Sequence, residues 1–404
     1  MERQILHVDV NNAFLSWTAI DRLAHGEELD IRTIPAIIGG DEAQRKGVVL
    51  AKSTIAKQFG IKTGEPIYFA RKKCPDIKVY QGDFKVYRKY SNALYQLLLE
   101  YTDQIERFSI DECFCDLTHF IRPGETLFDK AKEINKRVRE ELGFTVNVGV
   151  AHNKLLAKMA SDFQKPDRVH TLFENEIETK MFPLPISELF MVGRKTLPKL
   201  ERLGIKTIGD LAKRDQKEMI KLFGKHGKLM WEYANGIDEE EVISKFILPK
   251  CIGNSITLPQ DIYEIEKLNE ILLALSEQVS YRLRKYDLQA KVVNVQIKTS
   301  DFLVYSHQKS LDIPTNSTKE IYENAKELLL DLHKNRSVRL LGVRVDHLSE
   351  KNEMQISLFD NEKSEKQEKL DKAIDSLKER FGYNSVTRAG KMKINNIIRF
   401  KEEE

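Results

Sequence analysis

Two apolar runs far apart in the chain each carry carboxylates, and this pairing limits the possible folds more than any other feature. The first is Ile5-Leu6-His7-Val8-Asp9-Val10; the second is Phe108-Ser109-Ile110-Asp111-Glu112-Cys113-Phe114. Both read as short strands that end or turn at acidic residues. A carboxylate in a buried strand is costly unless something positive neutralises it. For three clustered carboxylates the simplest neutraliser is a divalent metal. Oxygen-only ligands suit magnesium, which keeps substrate phosphates in its shell. The pattern therefore points to two-metal phosphoryl or nucleotidyl transfer.

A chain of 404 residues exceeds one hydrophobic core and should divide into about two to four domains. Its 41% hydrophobic content excludes wholesale disorder. The net charge is only +3, so any contact with nucleic acid must come from local basic faces. The cysteines are Cys74, Cys113, Cys115 and Cys251, with no CxxC pair. Reduced thiols in a cytoplasmic protein are expected, not a disulfide framework or a zinc site. The N-terminus runs straight into a strand without a signal peptide, and no apolar stretch is long enough to span a membrane.

Residues 1–180 alternate strand-like stretches (4–9, 47–52, 104–108, 112–117, 144–151) with helical ones (83–101, 126–141, 153–163). That order predicts an α+β sheet with helices on one face. Residues 23–80 read as an insertion rich in Gly and Lys. Residues 183–240 turn helical, with glycines in Met191-Val192-Gly193-Arg194-Lys195 and Leu203-Gly204-Ile205-Lys206-Thr207-Ile208-Gly209. Taken alone, this segment fits a helix-hairpin-helix holding a phosphate on backbone amides. It fits equally an ordinary helical hairpin with a glycine cap. An acidic run and Pro249 mark a linker at 241–249. Residues 250–348 give strand, helix, strand, strand, helix, strand, the split β-α-β arrangement, with helices at about 264–286 and 318–333. Lys291, Lys298, Arg339 and Arg344 lie on strands there; they form either a basic face for a phosphate backbone or a solvated surface. A further helix is predicted at about 363–381.

The joint pattern resembles the Y-family (translesion) DNA polymerases, in particular the bacterial polymerase IV-like members. The matching residues are Val8-Asp9-Val10 with Phe14, Phe59-Gly60-Ile61-Lys62-Thr63-Gly64 with Pro66, and Ser109-Ile110-Asp111-Glu112. They continue with Val148-Gly149-Val150-Ala151-His152-Asn153-Lys154, Lys158-Met159-Ala160-Ser161 and Lys165-Pro166, then Ala234-Asn235-Gly236-Ile237-Asp238. The resemblance covers roughly residues 1–350. It implies an α+β multidomain right hand: a ferredoxin-like palm (1–22 and 81–182), small fingers (23–80), a helix-hairpin-helix thumb (183–240), a linker (241–249), a β-α-β-β-α-β little finger (250–349) and a tail (350–404).

The activity implied is template-directed addition of dNTPs to a primer 3′ end, at low fidelity, in DNA damage tolerance. Asp9, Asp111 and Glu112, with the Val10 carbonyl, would hold two Mg2+ ions that activate the primer hydroxyl and stabilise the leaving pyrophosphate. Phe14 matches the steric gate against a 2′-hydroxyl, although from bare sequence a Phe there reads as core. Lys165 matches the triphosphate-binding lysine; Lys154 and Lys158 would support the same end or lie on a plain helical surface. Gly193, Arg194 and Lys195 match the thumb's DNA contact.

Two features depart from the family pattern. In the fingers, Thr54 replaces the usual Tyr and Lys57 the usual Arg, so charge is kept without the bidentate fork; Lys52 lies close by in sequence. Asn11-Asn12 stands where many members carry an acid or an aromatic. The tail contains Gln355-Ile356-Ser357-Leu358-Phe359, which looks like the peptide that binds the bacterial β sliding clamp. Its Leu-Phe pair would otherwise fold back on its own domain. A monomer acting on primer-template DNA, with the clamp as partner, is the expectation. The alternative is a DNA- and clamp-binding accessory protein with a weakened catalytic centre.

Overall fold

The structure, a computed structural model, describes residues 2–42, 45, 47–245, 247–350, 361–382, 385 and 386. Two compact units emerge: Met1–Gly40 with Val48–Phe246, and Asp41–Gly47 with Ile247–Glu404.

The first unit runs β1 (Ile5–Val10), α1 (Ala13–Ala24), β2 (Ala36–Gly39), β3 (Val49–Lys52), α2 (Thr54–Gln58), α3 (Ile67–Lys73), β4 (Lys78–Gln81), α4 (Phe84–Leu99), β5 (Ile105–Arg107) and β6 (Glu112–Asp116). It continues with α5 (Leu127–Arg137), β7 (Val146–Ala151), α6 (Lys154–Asp162), β8 (Val169–Thr171) and four helices, α7 (Leu197–Arg202), α8 (Ile208–Ala212), α9 (Gln216–Phe223) and α10 (Lys225–Ala234). Five strands make one sheet in the order β5-β6-β1-β7-β8, antiparallel except for β7 with β8.

Strand alternation sends Leu6, Val8 and Val10 of β1 into a core with Trp17, Tyr87 and Ile134. Ile5, His7 and Asp9 point the other way, where α6 packs. Helices thus cover both faces, not one as expected from the sequence. The reason lies in Gly149: a Cβ there would sit 1.8 Å from the Ala157 carbonyl, so the missing side chain is what lets α6 lie down on β7. Every residue of α6 from Lys154 to Ser161 is buried.

The insertion at 23–80 has a sheet of its own, β3-β2-β4, with β2 and β4 parallel. Between α7 and α8 the chain turns at Gly204, whose φ of +76° suits glycine, and Thr207 caps α8 by accepting from Asp210 N.

The second unit contains β9 (Cys251–Ile262), α11 (Ile265–Lys285), β10 (Leu288–Thr299), β11 (Val304–Thr315), α12 (Thr318–His333), β12 (Val338–Glu350) and α13 (Asn361–Phe381). The sheet order is β11-β10-β12-β9, antiparallel throughout, so each β-α-β is split by one intervening strand. Val293, Val295 and Ile297 of β10 and Leu341, Val343 and Val345 of β12 face α11 and α12. Helix α13 docks on this unit through Arg284 of α11, which bonds Asp375 at 2.9 Å through Nη2 and pairs with Asp371 at 3.6 Å. Gln355, Ile356, Leu358 and Phe359 lie outside the described residues. Among those residues no helix is long and apolar enough to cross a membrane.

Candidate active site

The two acidic runs become neighbouring strands. Asp9 at the end of β1 stands opposite Glu112 at the start of β6. The turn before β6 folds back so that Val10 N donates to the Asp111 carbonyl at 3.0 Å. Each acid has its own partner. Lys165 bonds Asp9 Oδ2, and Lys165 Nζ also lies 2.7 Å from Asp162. Lys158 Nζ donates to Glu112 Oε1 at 2.8 Å. Ser109 Oγ donates to Asp111 Oδ1 at 2.6 Å.

Burial pushes the Asp9 carboxyl up from 3.8 to about 6, against the pull of Lys165. At Lys165 burial acts to lower the pKa, but Asp9 and Asp162 outweigh it and hold the ammonium above its usual range. The pair behaves asymmetrically because Lys165 is 39% exposed and Asp9 only 11% at the side chain. Under the acids, His7 is buried on the same face of β1. Ser161 spends its hydroxyl proton on the Lys158 carbonyl at 2.7 Å. The imidazole must then donate from Nδ1 to Ser161 Oγ, 2.8 Å away. Burial first, then Lys158 and Lys165, holds His7 well below 6.5 and so neutral.

Sequence reasoning missed His7, Ser161 and Tyr87. The signal for the second was available: Lys154, Lys158 and Ser161 recur at helical spacing among the apolar Leu155, Leu156, Ala157, Met159 and Ala160 of α6. Phe14, half-buried at the start of α1, stacks on Tyr87 with centroids 4.3 Å apart and is edged by Phe84. Lys154 is buried rather than on a plain helical surface. Its Nζ bonds Glu106 of β5 at 2.8 and 2.9 Å, and Glu106 also accepts from Ile243 N. Lys52 ends β3 and donates to Thr63 Oγ1 at 3.1 Å, while Thr54 and Lys57 are exposed on α2. Gly193, Arg194 and Lys195 are exposed ahead of α7.

In the second unit, Lys298 and Arg344 occupy the helix-free face of the sheet, alternating with the core residues beside them. Arg344 faces Asn294 across the strands and pairs with Asp346 at 2.9 Å. Lys291 is exposed at a register shift in β10, and Arg339 lies over the Phe302 ring at 4.7 Å.

Residues 8–162 match the impB/mucB/samB family, and residues 249–358 match the C-terminal domain of that family. The chain is 47% identical over 389 residues to DNA polymerase IV of Clostridium acetobutylicum, covering 96% of this chain and 98% of the relative. This chain belongs to the Y-family DNA polymerases, polymerase IV group. DNA polymerase IV of Acetivibrio thermocellus is 39% identical over 396 residues, covering 96% and 97%. Among solved structures, a Y-family polymerase chimera of Dbh and Dpo4 superposes with a TM-score of 0.74 at 25% identity, covering 86% of this chain and 99% of that one. A Dbh ternary complex gives a TM-score of 0.60, also at 25% identity, covering 85% and 98%. The Y-family polymerase is a DNA-directed DNA polymerase of the translesion type, from a group that uses divalent metal.

Proposed function

We propose that Asp9, Asp111 and Glu112, with the Val10 carbonyl, form the two-metal centre of this polymerase, and that Mg2+ fills it. The supporting observation is the cross-strand pair of Asp9 and Glu112, two carboxylates brought together at one end of the sheet and each paired with a lysine ammonium. Among the described residues no three His, Cys, Asp or Glu side chains converge on one point. The donors nevertheless fit the ion: all are oxygens, and Asp9 is buried at a cost that a divalent cation relieves. When bound, the ions supply charge to activate the primer 3′-hydroxyl and to stabilise the leaving pyrophosphate. The chain's residues do the rest. Lys165, two-fifths exposed, turns from Asp9 to the triphosphate. Phe14, clamped by Tyr87, closes the space beside the sugar C2′. Lys52, Thr54 and Lys57 meet the phosphates from the fingers, with Lys57 giving a point charge where an Arg fork is usual.

The domain limits 1–22 with 81–182, 23–80, 183–240, 241–249, 250–349 and 350–404 serve as palm, fingers, thumb, linker, little finger and tail. Gly193, Arg194 and Lys195 hold the duplex backbone from the thumb. Lys291, Lys298, Arg339 and Arg344 hold it from the little finger. Gln355, Ile356, Leu358 and Phe359 engage the β sliding clamp of a cytoplasmic, monomeric enzyme. Primer extension with all four dNTPs and Mg2+ tests the centre: wild type extends, Asp111→Ala does not, and equal extension by both refutes the assignment. No extension by either, with DNA binding intact, would favour an accessory role traced to Thr54 and Lys57. Leu358→Ala with Phe359→Ala should abolish clamp capture and leave distributive extension unchanged; retained capture refutes the peptide.

A further inference from the structure

Glu112 is held differently from the other two acids. The Lys158–Glu112 pair is 10% and 20% exposed at its side chains. The Lys158 ammonium lies 5.2 Å from the centroid of Phe108 and 5.4 Å from that of Phe190, so two aromatic faces take the place of water. The backbone beneath it is fixed too: its carbonyl accepts from Ser161, which is itself tied to His7 of β1. Lys165 contrasts in every respect, being exposed and shared between Asp9 and Asp162. A lysine that follows a triphosphate has to move. A lysine enclosed by two rings, a carboxylate and a buried helix does not.

We propose that Lys158 is a positioning residue for nucleotidyl transfer. It keeps hold of Glu112 Oε1 throughout turnover, so that the carboxylate presents its other oxygen to a divalent cation in one fixed orientation. This inference rests on the reading of Asp9, Asp111 and Glu112 as the metal centre. An ammonium beside a metal ligand has two opposed effects: its charge repels the cation, whereas its hydrogen bond orients the ligand. Groups that orient a metal ligand are typically worth about 10-fold to 100-fold in metal affinity. The sign of the net effect separates the two roles.

The test uses the full chain bound to a primer-template ending in a dideoxynucleotide, with the next dNTP present, so that no chemistry occurs. Mn2+ is titrated and free ion is read by electron paramagnetic resonance. Wild type should bind Mn2+ and Asp111→Ala should not; failure of wild type to bind would overturn the metal centre itself. Lys158→Met should bind Mn2+ about 10-fold more weakly, with DNA affinity unchanged by fluorescence anisotropy. Lys158→Arg should recover most of the loss. Unchanged or tighter Mn2+ binding by a folded Lys158→Met overturns the positioning role. If that variant does not fold, Lys158→Gln replaces it, with the same expected loss and the same overturning result.

Discussion

Asp9→Asn should stabilise the metal-free protein while removing its activity. Asp9 is 8% exposed, and burial lifts its pKa from 3.8 to about 6 despite Lys165. At 1.36 kcal/mol per pH unit, ionising it in the folded protein costs about 3 kcal/mol more than in the unfolded chain. The folded pKa is the higher one, so the native state binds the proton more tightly. Stability therefore falls as pH rises from about 4 to about 6 and is level above. Asparagine has the same shape and no charge to bury. Lys165 would lose one partner but keep Asp162 at 2.7 Å. We expect Asp9→Asn to exceed wild type by about 2–3 kcal/mol at pH 8, by about half of that at pH 5, and by little at pH 4. His7, held neutral, has the opposite sign, since protonating it penalises the fold as pH falls; it is common to both proteins and drops out of the difference. Urea unfolding in EDTA across this range is the assay. A destabilised Asp9→Asn, or a gap that does not change with pH, would refute the reasoning and show that the Lys165 pair outweighs burial. A buried carboxylate that costs stability is what a functional centre leads one to expect.

Three further outcomes are expected. Phe14→Ala should raise ribonucleotide incorporation about 10-fold or more, a steric clash being worth about 1–3 kcal/mol; unchanged sugar selection in single-nucleotide insertion would remove the gate assignment. Lys298→Ala and Arg344→Ala should each weaken DNA binding at every sequence and lower the slope of log affinity against log salt by about 1; an unchanged slope would return these residues to plain surface. Glu106→Ala should destabilise the protein by about 2 kcal/mol, because it takes the nearer carboxylate from buried Lys154, leaving Glu240 at 3.5 Å, and frees the backbone amide of Ile243; a loss under 1 kcal/mol in denaturant unfolding would show that Glu240 takes over the pairing.

Much of the candidate site could be picked out in the sequence because its residues break a local rule. Acids in apolar strands stand out, and the register of β1 with β6 brings Asp9 and Glu112 together as their patterns suggest. The second unit was legible from alternation, since β10 and β12 each bury one face. The small β3-β2-β4 sheet was not: β2 and β4 are four residues each, too short to display a period. The second helical layer under the large sheet was hidden as well, because it depends on the close approach at Gly149, a tertiary fact. Lys154 and Lys158 share one motif and one helix face, yet they serve Glu106 and Glu112 on different strands. Spacing along α6 marked both as unusual and could not assign their partners.

The most direct test of the metal centre is anomalous diffraction from crystals of the full chain with Mn2+, a dideoxy-terminated primer-template and the next dNTP. Two peaks are predicted within about 2.1 Å of carboxylate oxygens of Asp9, Asp111 and Glu112, with Lys165 moved from Asp9 onto the triphosphate. Peaks remote from these three residues, or Lys165 still on Asp9 beside a bound dNTP, would contradict the account.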